Sequence, residues 1–252
     1  MFALFIVGTA GSGKSLLTSA LASWYSDKGA HAVSANLDPG TLNLPYEPDV
    51  DIREMIDFQT IMNSYQLGPN GALIFAADLI ASRMPELQDH VDSLNPDYVI
   101  FDTPGQLELF AYRQSGPFVV QNFRCEGKAV LFLFDSTVVS TAINFVAIAM
   151  LAASIQLRLP VPNVSALSKK DLVGEGWKQI LRWSSDPLEL EKAIATEAGE
   201  THYLLTSRIL RGLVNTGIAY EPIPVSAATM DGMGELSATL SRIFRGGEEV
   251  ED

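Results

Sequence analysis

The chain has 252 residues, 47% of them hydrophobic, which is enough to bury the core of one large α/β domain or two small ones. Its 30 acidic and 17 basic residues give a net charge of −13, which repels the phosphates of nucleic acids and anionic membrane surfaces over most of the molecule. We therefore expect no direct nucleic-acid partner and no membrane partner.

A single cysteine, Cys125, leaves no internal disulfide and no cysteine-based metal cluster, so a reducing cytoplasm is the expected location. No basic segment precedes the first apolar run, and we expect no signal peptide. Residues 138–157 contain no charge and have the length of a membrane span. Because polar residues such as Ser140 and Asn144 interrupt this stretch, we interpret it as a helix buried in the core or in a subunit interface.

The first motif in chain order is a glycine-rich loop at residues 8–15, GTAGSGKS, which fits G-x-x-x-x-G-K-[ST] at every fixed position. An apolar run of strand length precedes it, and apolar side chains at helical spacing follow it. A plain glycine-rich turn would also fit these residues. The order of strand, loop and helix, however, lets backbone N–H groups and a helix N-terminus approach phosphates. We expect Lys14 to reach the β- and γ-phosphates and Ser15 to hold Mg²⁺. The predicted nucleotide contacts of this phosphate-binding loop are Gly11, Ser12, Gly13, Lys14, Ser15 and Leu16.

The next segments carry two short motifs between regular elements. A second strand is predicted at residues 31–37, and it leads into Asp38 within the sequence NLDPG. Helical patterns cover residues 52–62 and 73–80, and the sequence Gly68-Pro69-Asn70-Gly71 stands between them. Taken alone, this turn indicates only the end of a helix.

A third predicted strand ends in a carboxylate, Asp102, and the sequence TPGQLE follows directly. In phosphate-loop enzymes a strand-end aspartate holds the magnesium shell, and the next turn senses the γ-phosphate. We therefore predict that Asp102 is a metal ligand and that Gly105 contacts the nucleotide. The alternative is an ordinary strand-to-helix turn.

Two further strands are predicted, one ending at Asp135 and one leading into Ser168-Lys169-Lys170-Asp171. The last four residues approximate the guanine-reading motif Asn-Lys-x-Asp. The Asp171 carboxylate can accept from guanine N1–H and from the 2-amino group, whereas adenine offers neither donor there, and the stem of Lys169 would cover the base. Because Ser168 is shorter than Asn, we expect one hydrogen bond of this motif to be weakened or made through water. A solvated charged turn is the alternative interpretation.

The C-terminal part of the chain completes the alternation of strands and helices. Residues 172–216 are predicted to form an insertion of two or three helices that could present a face to a protein partner. A last strand at 220–225 ends at Ser226-Ala227, where a backbone N–H can meet guanine O6. A closing helix is predicted over residues 230–244.

This alternation predicts a three-layer α/β fold, in which helices cover both faces of a mostly parallel sheet. The nucleotide should lie at the C-terminal ends of the strands. We expect a single domain over residues 1–247 and a frayed acidic tail at 248–252.

Taken together, these motifs resemble the GPN-loop GTPases, a family of the phosphate-loop class, over essentially the whole chain. The matching segments are GTAGSGKS at 8–15, NLDPG at 36–40, GPN at 68–70, DTPGQLE at 102–108, SKKD at 168–171 and SA at 226–227. The resemblance implies the P-loop NTPase fold and a homodimer that uses GTP, GDP and Mg²⁺, with the GPN loop reaching into the partner's nucleotide site. It also places Asp38, Gln106 and Glu108 at positions implicated in placing the attacking water.

The resemblance further implies a role in assembling or trafficking RNA polymerase and other protein complexes, although the compact chain is more similar to archaeal members. Asn70 is the predicted catalytic residue of the GPN motif, because its amide can both donate and accept and no arginine finger stands out in the sequence.

Three other functions compete with a hydrolysing GTPase. A nucleotide-gated binding module with negligible turnover would carry the same motifs. A small-molecule kinase would also use a phosphate loop, but it predicts an arginine-rich lid and no guanine motif. ATPases with a second lysine early in the loop are disfavoured, because Thr9 and Ala10 occupy that region.

Overall fold

The computed structural model describes residues 1–197, 199–216 and 221–245. These described residues contain one seven-stranded sheet with the strand order β3-β2-β4-β1-β5-β6-β7, and every pairing in it is parallel. The strands are β1 (Phe2–Gly8), β2 (Ala32–Asn36), β3 (Val50–Asp51), β4 (Tyr98–Asp102), β5 (Gly127–Asp135), β6 (Asn163–Ser168) and β7 (Ile223–Pro224). The predicted parallel sheet is confirmed.

Helices cover both faces of this sheet, which confirms the predicted three-layer arrangement. The α-helices within the described ranges are α1 (Lys14–Asp27), α2 (Ile52–Met55), α3 (Phe58–Tyr65), α4 (Pro69–Ser82), α5 (Met84–Leu94), α6 (Ser115–Asn122), α7 (Ala142–Arg158), α8 (Gly176–Ser185), α9 (Pro187–Glu197), α10 (Glu200–Asn215) and α11 (Met233–Phe244). One hydrophobic cluster joins the sheet to α1 and α11, and the other joins it to α2–α10.

The central strand β1 positions the site, because it pairs with β4 on one side and with β5 on the other. Its residues are apolar almost without interruption, as expected for a strand buried on both faces. Ile6 of β1 lies opposite Asp102 of β4, and Gly8 lies opposite Leu133 of β5. The glycine-rich loop and Asp102 therefore leave the sheet side by side, at its C-terminal edge.

Two predicted elements differ in the structure. The helix predicted over residues 52–62 is two helices, because Ile56 is extended and the Asp57 side chain accepts a hydrogen bond from Thr60 N (3.0 Å) to begin α3. The GPN motif is not a loop between helices. Gly68 is the N-cap of α4 and Pro69 begins the helix, where its fixed φ is already helical, so Asn70 lies in the first turn.

Some elements were not predicted from the sequence. They are α5, α6, the two-residue strand β3 and a π-helical turn at Glu108–Tyr112. Three helices, α8–α10, occupy the region of the predicted insertion. The predicted tail at 248–252 and the first residue of the predicted last strand, Tyr220, lie outside the described residues.

The uncharged stretch at 138–157 contains most of α7, and Phe145 and Val146 of this helix are buried in the core. In the part of the chain that the structure describes, no helix has both the length and the hydrophobicity required to cross a membrane.

Gly116 in the first turn of α6 offers a test of this packing. A Cβ at this position would lie 1.9 Å from the carbonyl oxygen of Phe110, in the π-helical turn. We expect Gly116→Ala to lower the free energy of unfolding by about 1–3 kcal/mol, as overpacking does elsewhere. The matched control is Gly212→Ala in α10, where a Cβ meets no atom within 4 Å. Equal denaturant midpoints for the two variants would contradict this packing.

Candidate nucleotide site

A cleft of about 340 Å³ opens at the C-terminal edge of the sheet, where ligands bind in open α/β folds. Five of its lining residues belong to the glycine-rich loop and the start of α1. They are Gly11, Gly13, Lys14, Ser15 and Leu16. The other walls come from the loop after β2, including Asp38 and Thr41, and from the end of β4 and the turn after it, including Asp102 and Gly105. Three motifs that are far apart in the sequence therefore share one cavity.

The glycine-rich loop depends on backbone conformations that glycine adopts readily. Gly11 has φ 76° and Gly13 has φ 94°, both in the left-handed region, and Gly13 is the N-cap of α1. A loop of this kind, ending at a helix N-terminus, turns backbone N–H groups and the positive end of the helix dipole towards an anion.

Lys14 is buried, and its ammonium is held by the loop itself. Nζ donates to the carbonyl oxygens of Gly8 (3.1 Å) and Thr9 (3.0 Å). Burial lowers the pKa of Lys14, and the charges of Asp102 and Asp38 oppose that change. The lysine therefore lies at the cleft with weak carbonyl partners that phosphate oxygens could replace.

Asp102 is the more deeply buried of the two carboxylates that line the cleft, with 2% of its surface exposed. Its Oδ2 accepts from the Tyr46 hydroxyl (3.3 Å), whereas its Oδ1 is buried and has no hydrogen bond of good geometry to any described residue. Burial raises the pKa of Asp102 to about 6, although Ser15, Lys14 and Tyr46 lower it in part. Tyr46 was not predicted as a site residue, because a tyrosine in a proline-containing loop matches no motif.

The predicted magnesium ligands fit a metal site. Asp102 offers a buried oxygen without a well-formed hydrogen bond to the described residues, and the Ser15 hydroxyl is close enough to lower the pKa of this carboxyl. Carboxylate and hydroxyl oxygens are ligands of the kind that Mg²⁺ takes. Among the described residues, no three His, Cys, Asp or Glu side chains are grouped so as to hold a metal ion by themselves. A magnesium ion here would therefore also need oxygens of the nucleotide or of water.

Asp38 connects two of the predicted motifs. Its Oδ2 accepts from the backbone N–H of Gly105 (3.0 Å), and its Oδ1 accepts from that of Gly40 (3.0 Å). Gly40 in turn packs against α4, since a Cβ at this position would lie 2.1 Å from the Leu73 side chain. One contact network thus joins Asp38, which is predicted to place water, the turn predicted to sense the γ-phosphate, and α4, which begins within the GPN motif.

A buried polar network supports the loop that carries Asp38. Asn36 Nδ2 donates to Asp51 (2.9 Å), and the Arg53 guanidinium binds the same carboxylate through Nε (2.9 and 3.0 Å). Arg53 also donates to the backbone oxygen of Thr41 (3.1 Å), which lines the cleft. This network was not predicted, because its members form no recognisable spacing in the sequence.

The predicted base-reading turn lies directly against the glycine-rich loop. Ser168 Oγ donates to the carbonyl oxygen of Ser12 (2.8 Å), and Lys169 Nζ donates to that of Gly11 (2.5 Å). The short Ser168 side chain is buried next to the loop and reaches it directly. The expectation that Ser168 makes one weaker or water-mediated hydrogen bond in place of Asn stays a prediction. Asp171 is exposed in the following 3₁₀ turn.

The loop that carries Ser226 and Ala227 adjoins this turn, because Lys170 N donates to the Val225 carbonyl (3.3 Å). Both predicted guanine-reading segments are thus neighbours. Three predicted catalytic residues do not line the cleft among the described residues. They are Asn70, Gln106 and Glu108, all of which are exposed.

The chain is a nucleotide-binding protein of the phosphate-loop class, because its parallel sheet carries a glycine-rich loop before α1 and a buried aspartate at the end of the neighbouring strand. A family model described as "Conserved hypothetical ATP binding protein" matches residues 6–246. The chain belongs to this family, which is that of the GPN-loop GTPases.

Individual relatives agree with this assignment. The chain is 32% identical to the GPN-loop GTPase 2 homolog of Dictyostelium discoideum over 81% of its length, and 31% identical to GPN-loop GTPase QQT2 of Arabidopsis thaliana over 90%. It spans 62% and 61% of those two longer proteins. The crystal structure of an apo GTPase from Pyrococcus abyssi is similar, with a TM-score of 0.85 and 27% identity, over 96% of this chain and 97% of that one.

The raised pKa of Asp102 predicts an effect on stability. Folding raises this pKa from 3.8 to about 6, so the folded state binds the proton more tightly than the unfolded state does. The resulting contribution to the free energy of unfolding is fully present below pH 4 and is lost as the pH rises through 6. In the metal-free and nucleotide-free protein, Asp102→Asn should therefore stabilise the fold at pH 7, by up to about 3 kcal/mol. Chemical denaturation across this pH range tests it. The difference between the variant and the wild type should shrink towards pH 4, and a destabilised variant at pH 7 would contradict the argument.

Proposed function

We propose that this chain binds GTP and GDP with Mg²⁺ and hydrolyses GTP, as a homodimer, by in-line attack of water on the γ-phosphate. The observation that carries the proposal is the direct joining of the base-reading turn to the phosphate-binding loop. Ser168 and Lys169 each donate to a carbonyl of that loop. A base held at this turn and phosphates held at this loop would belong to one bound nucleotide.

The chain's own groups supply the phosphate chemistry. Backbone N–H groups of residues 11–15 and the N-terminus of α1 bind the phosphates, and Lys14 exchanges its two loop carbonyls for phosphate oxygens. Mg²⁺, held by Ser15 and Asp102, would offset the negative charge that develops on those oxygens. Lys14 contributes most in the transition state, where that charge is greatest.

Asp38 and Gln106 are proposed to place the attacking water, with Glu108 nearby in the chain. Asp38 is fixed by two backbone N–H groups, one of them from Gly105 in the turn that senses the γ-phosphate. A carboxylate held in this way can accept a hydrogen bond from water, and an amide beside it can orient the same molecule. Gln106 is exposed and directly follows that turn.

The proposed base is guanine, although the matching family model is described as ATP-binding. Asp171 presents an exposed carboxylate, which can accept two hydrogen bonds from guanine and would find no such donors on adenine. We expect Asp171→Asn to lose at least ~2 kcal/mol of the preference for GTP over ATP. The amide should instead favour xanthine, whose second carbonyl accepts a hydrogen bond.

Competition binding of GTP, ATP and xanthosine triphosphate measures this preference. Asp89→Asn, which removes an exposed carboxylate from α5, is the matched control and should change none of the three affinities. Equal affinity of the wild-type protein for GTP and ATP would overturn the guanine assignment.

We propose that Asn70 acts in trans on the nucleotide of the partner protomer. It is exposed in the first turn of α4, and Pro69 makes that turn stiff. The proposed interface includes α7, in which the apolar side chains of Met150 and Leu157 are 43% and 83% exposed. Large apolar side chains in this position favour burial against another chain.

A mixing experiment tests this arrangement. Asn70→Ala should sharply lower the rate of hydrolysis with little change in GTP affinity, because the lost contact belongs mainly to the transition state. Lys14→Ala should abolish activity in its own protomer. If Asn70 acts in trans, a heterodimer of the two variants has one complete site and recovers turnover that neither homodimer shows. Heterodimers that form without recovery would contradict action in trans.

The proposed cellular role is a nucleotide switch in the assembly of protein complexes, with RNA polymerase or its assembly factors as the client class implied by the family resemblance. The helices α8–α10 offer a surface for such a client, because Leu188, Leu204 and Leu205 are 68%, 57% and 60% exposed. A client should bind the GTP-loaded and GDP-loaded protein with different affinities.

A second candidate is a nucleotide-gated binding module that hardly turns over. It is favoured by the positions of Lys14 and Asp38, which are both engaged by backbone groups of the site. Turnover by purified dimer distinguishes the two functions. Less than one GTP consumed per site over hours would favour the binding module, and repeated turnover would favour the hydrolase.

A further inference from the structure

Asp135 at the end of β5 lies outside every motif described above, yet it is buried, with 5% of its surface exposed. Its Oδ2 forms an ion pair with Lys169 Nζ at 2.7 Å. Its Oδ1 accepts from the backbone N–H (3.0 Å) and the hydroxyl (2.7 Å) of Thr137. Both carboxylate oxygens are engaged, so the orientation of the side chain is fixed.

The partner of Asp135, Lys169, is the residue whose stem is expected to cover the base. Its ammonium is fixed between Asp135 and the carbonyl of Gly11 in the phosphate-binding loop. Its Cε lies 3.7 Å from the position of a Cβ on Gly13, so the stem runs along that loop. The placement of the stem is therefore determined by the two groups that hold its charged end.

The backbone of Lys169 is also held by the turn after β5. Lys169 has φ 58°, in the left-handed region that a lysine rarely adopts. Ser136, which is fully buried, donates from Oγ to the Lys169 carbonyl (2.8 Å) and from N to the Ser168 carbonyl (3.1 Å). These bonds stabilise a conformation that would otherwise be unfavourable.

We propose that Asp135 and Ser136, here called the β5 clamp, are positioning residues that set the affinity of the site for guanine nucleotides. The clamp acts through Lys169 by holding its backbone and its ammonium. The inference rests on the proposed function, because it concerns the base side of the same nucleotide site. The competing possibility is an ion pair that only ties β5 to the neighbouring turn.

Asp135→Asn is the first test. The asparagine oxygen can still accept from Thr137, while its NH₂ group faces the Lys169 ammonium and cannot pair with it. We expect GDP to bind about tenfold more weakly, about 1.4 kcal/mol, through faster dissociation. The value of kcat at saturating GTP should be unchanged. The matched control, Glu191→Gln, removes one carboxylate from the exposed Glu191–Arg211 pair and should leave GDP affinity unchanged.

A double-mutant cycle decides between the two roles. Lys169→Met keeps an apolar stem but removes the ammonium group, so Asp135 no longer has a charged partner in residue 169. In this background Asp135→Asn should cause no further loss of GDP affinity. A full tenfold loss in the Lys169→Met background, or no loss in the wild-type background, would overturn the clamp. Affinity is measured by titration with a fluorescent GDP analogue, and thermal melting of each nucleotide-free variant checks its folding.

Ser136→Ala provides a second route if Asp135→Asn fails to fold. It removes only the bond to the Lys169 carbonyl and should also speed GDP dissociation, and an unchanged rate would count against the clamp. Wild-type binding separates this inference from the proposed function. If the wild-type protein binds GDP and the variants match it, the clamp alone is wrong. If the wild-type protein binds no guanine nucleotide, both the proposed function and the proposed role of the clamp are overturned.

Discussion

The parallel register of β4, β1, β5 and β6 is the constraint on which the site depends. Backbone hydrogen bonds place Asp102 beside β1 and set Asp135 opposite Ser168. Asp102, the phosphate-binding loop, Asp135 and the turn at Ser168 therefore emerge in this order along one edge of the sheet, from strands that lie roughly 5 Å apart. A shift of one residue in any of these pairings would turn the side chains of that strand to the opposite face and separate the groups.

Charge balance is the second feature that the site depends on. Three carboxylates, those of Asp38, Asp102 and Asp135, lie close to the phosphate-binding loop, in a chain whose net charge is already −13. Each is compensated differently. Asp38 accepts hydrogen bonds from two backbone N–H groups, and Asp135 pairs with Lys169. Asp102 retains a buried oxygen that has no well-formed hydrogen bond to the residues described by the structure. The least compensated carboxylate is the one that stands where a cation is expected, as is common at functional sites.

The sequence was sufficient for the parts of the fold that rest on local pattern. The phosphate-binding loop, the buried strands and the strand-end Asp102 follow from spacing and hydrophobicity, and the parallel sheet follows from their alternation. The groups that only tertiary packing brings together were missed. Tyr46 matches no motif, and the direct bond from Ser168 depends on how closely β6 approaches the phosphate-binding loop. The sequence at 68–71 was interpreted as a turn between two helices, whereas Pro69 begins α4 and places Asn70 in its first turn.

The contact between Gly40 and Leu73 makes the substitutions tolerated at one position depend on the residue at the other, although the two lie 33 residues apart in the sequence. A methyl group at 40 would lie 2.1 Å from the leucine, so a larger residue there would require Leu73 to change its rotamer or α4 to move away from the turn. A change at 73 would likewise alter the support behind the backbone N–H that binds Asp38. The two positions are therefore expected to vary together among descendants of this chain, with a small residue at 40 wherever a branched apolar side chain stands at 73.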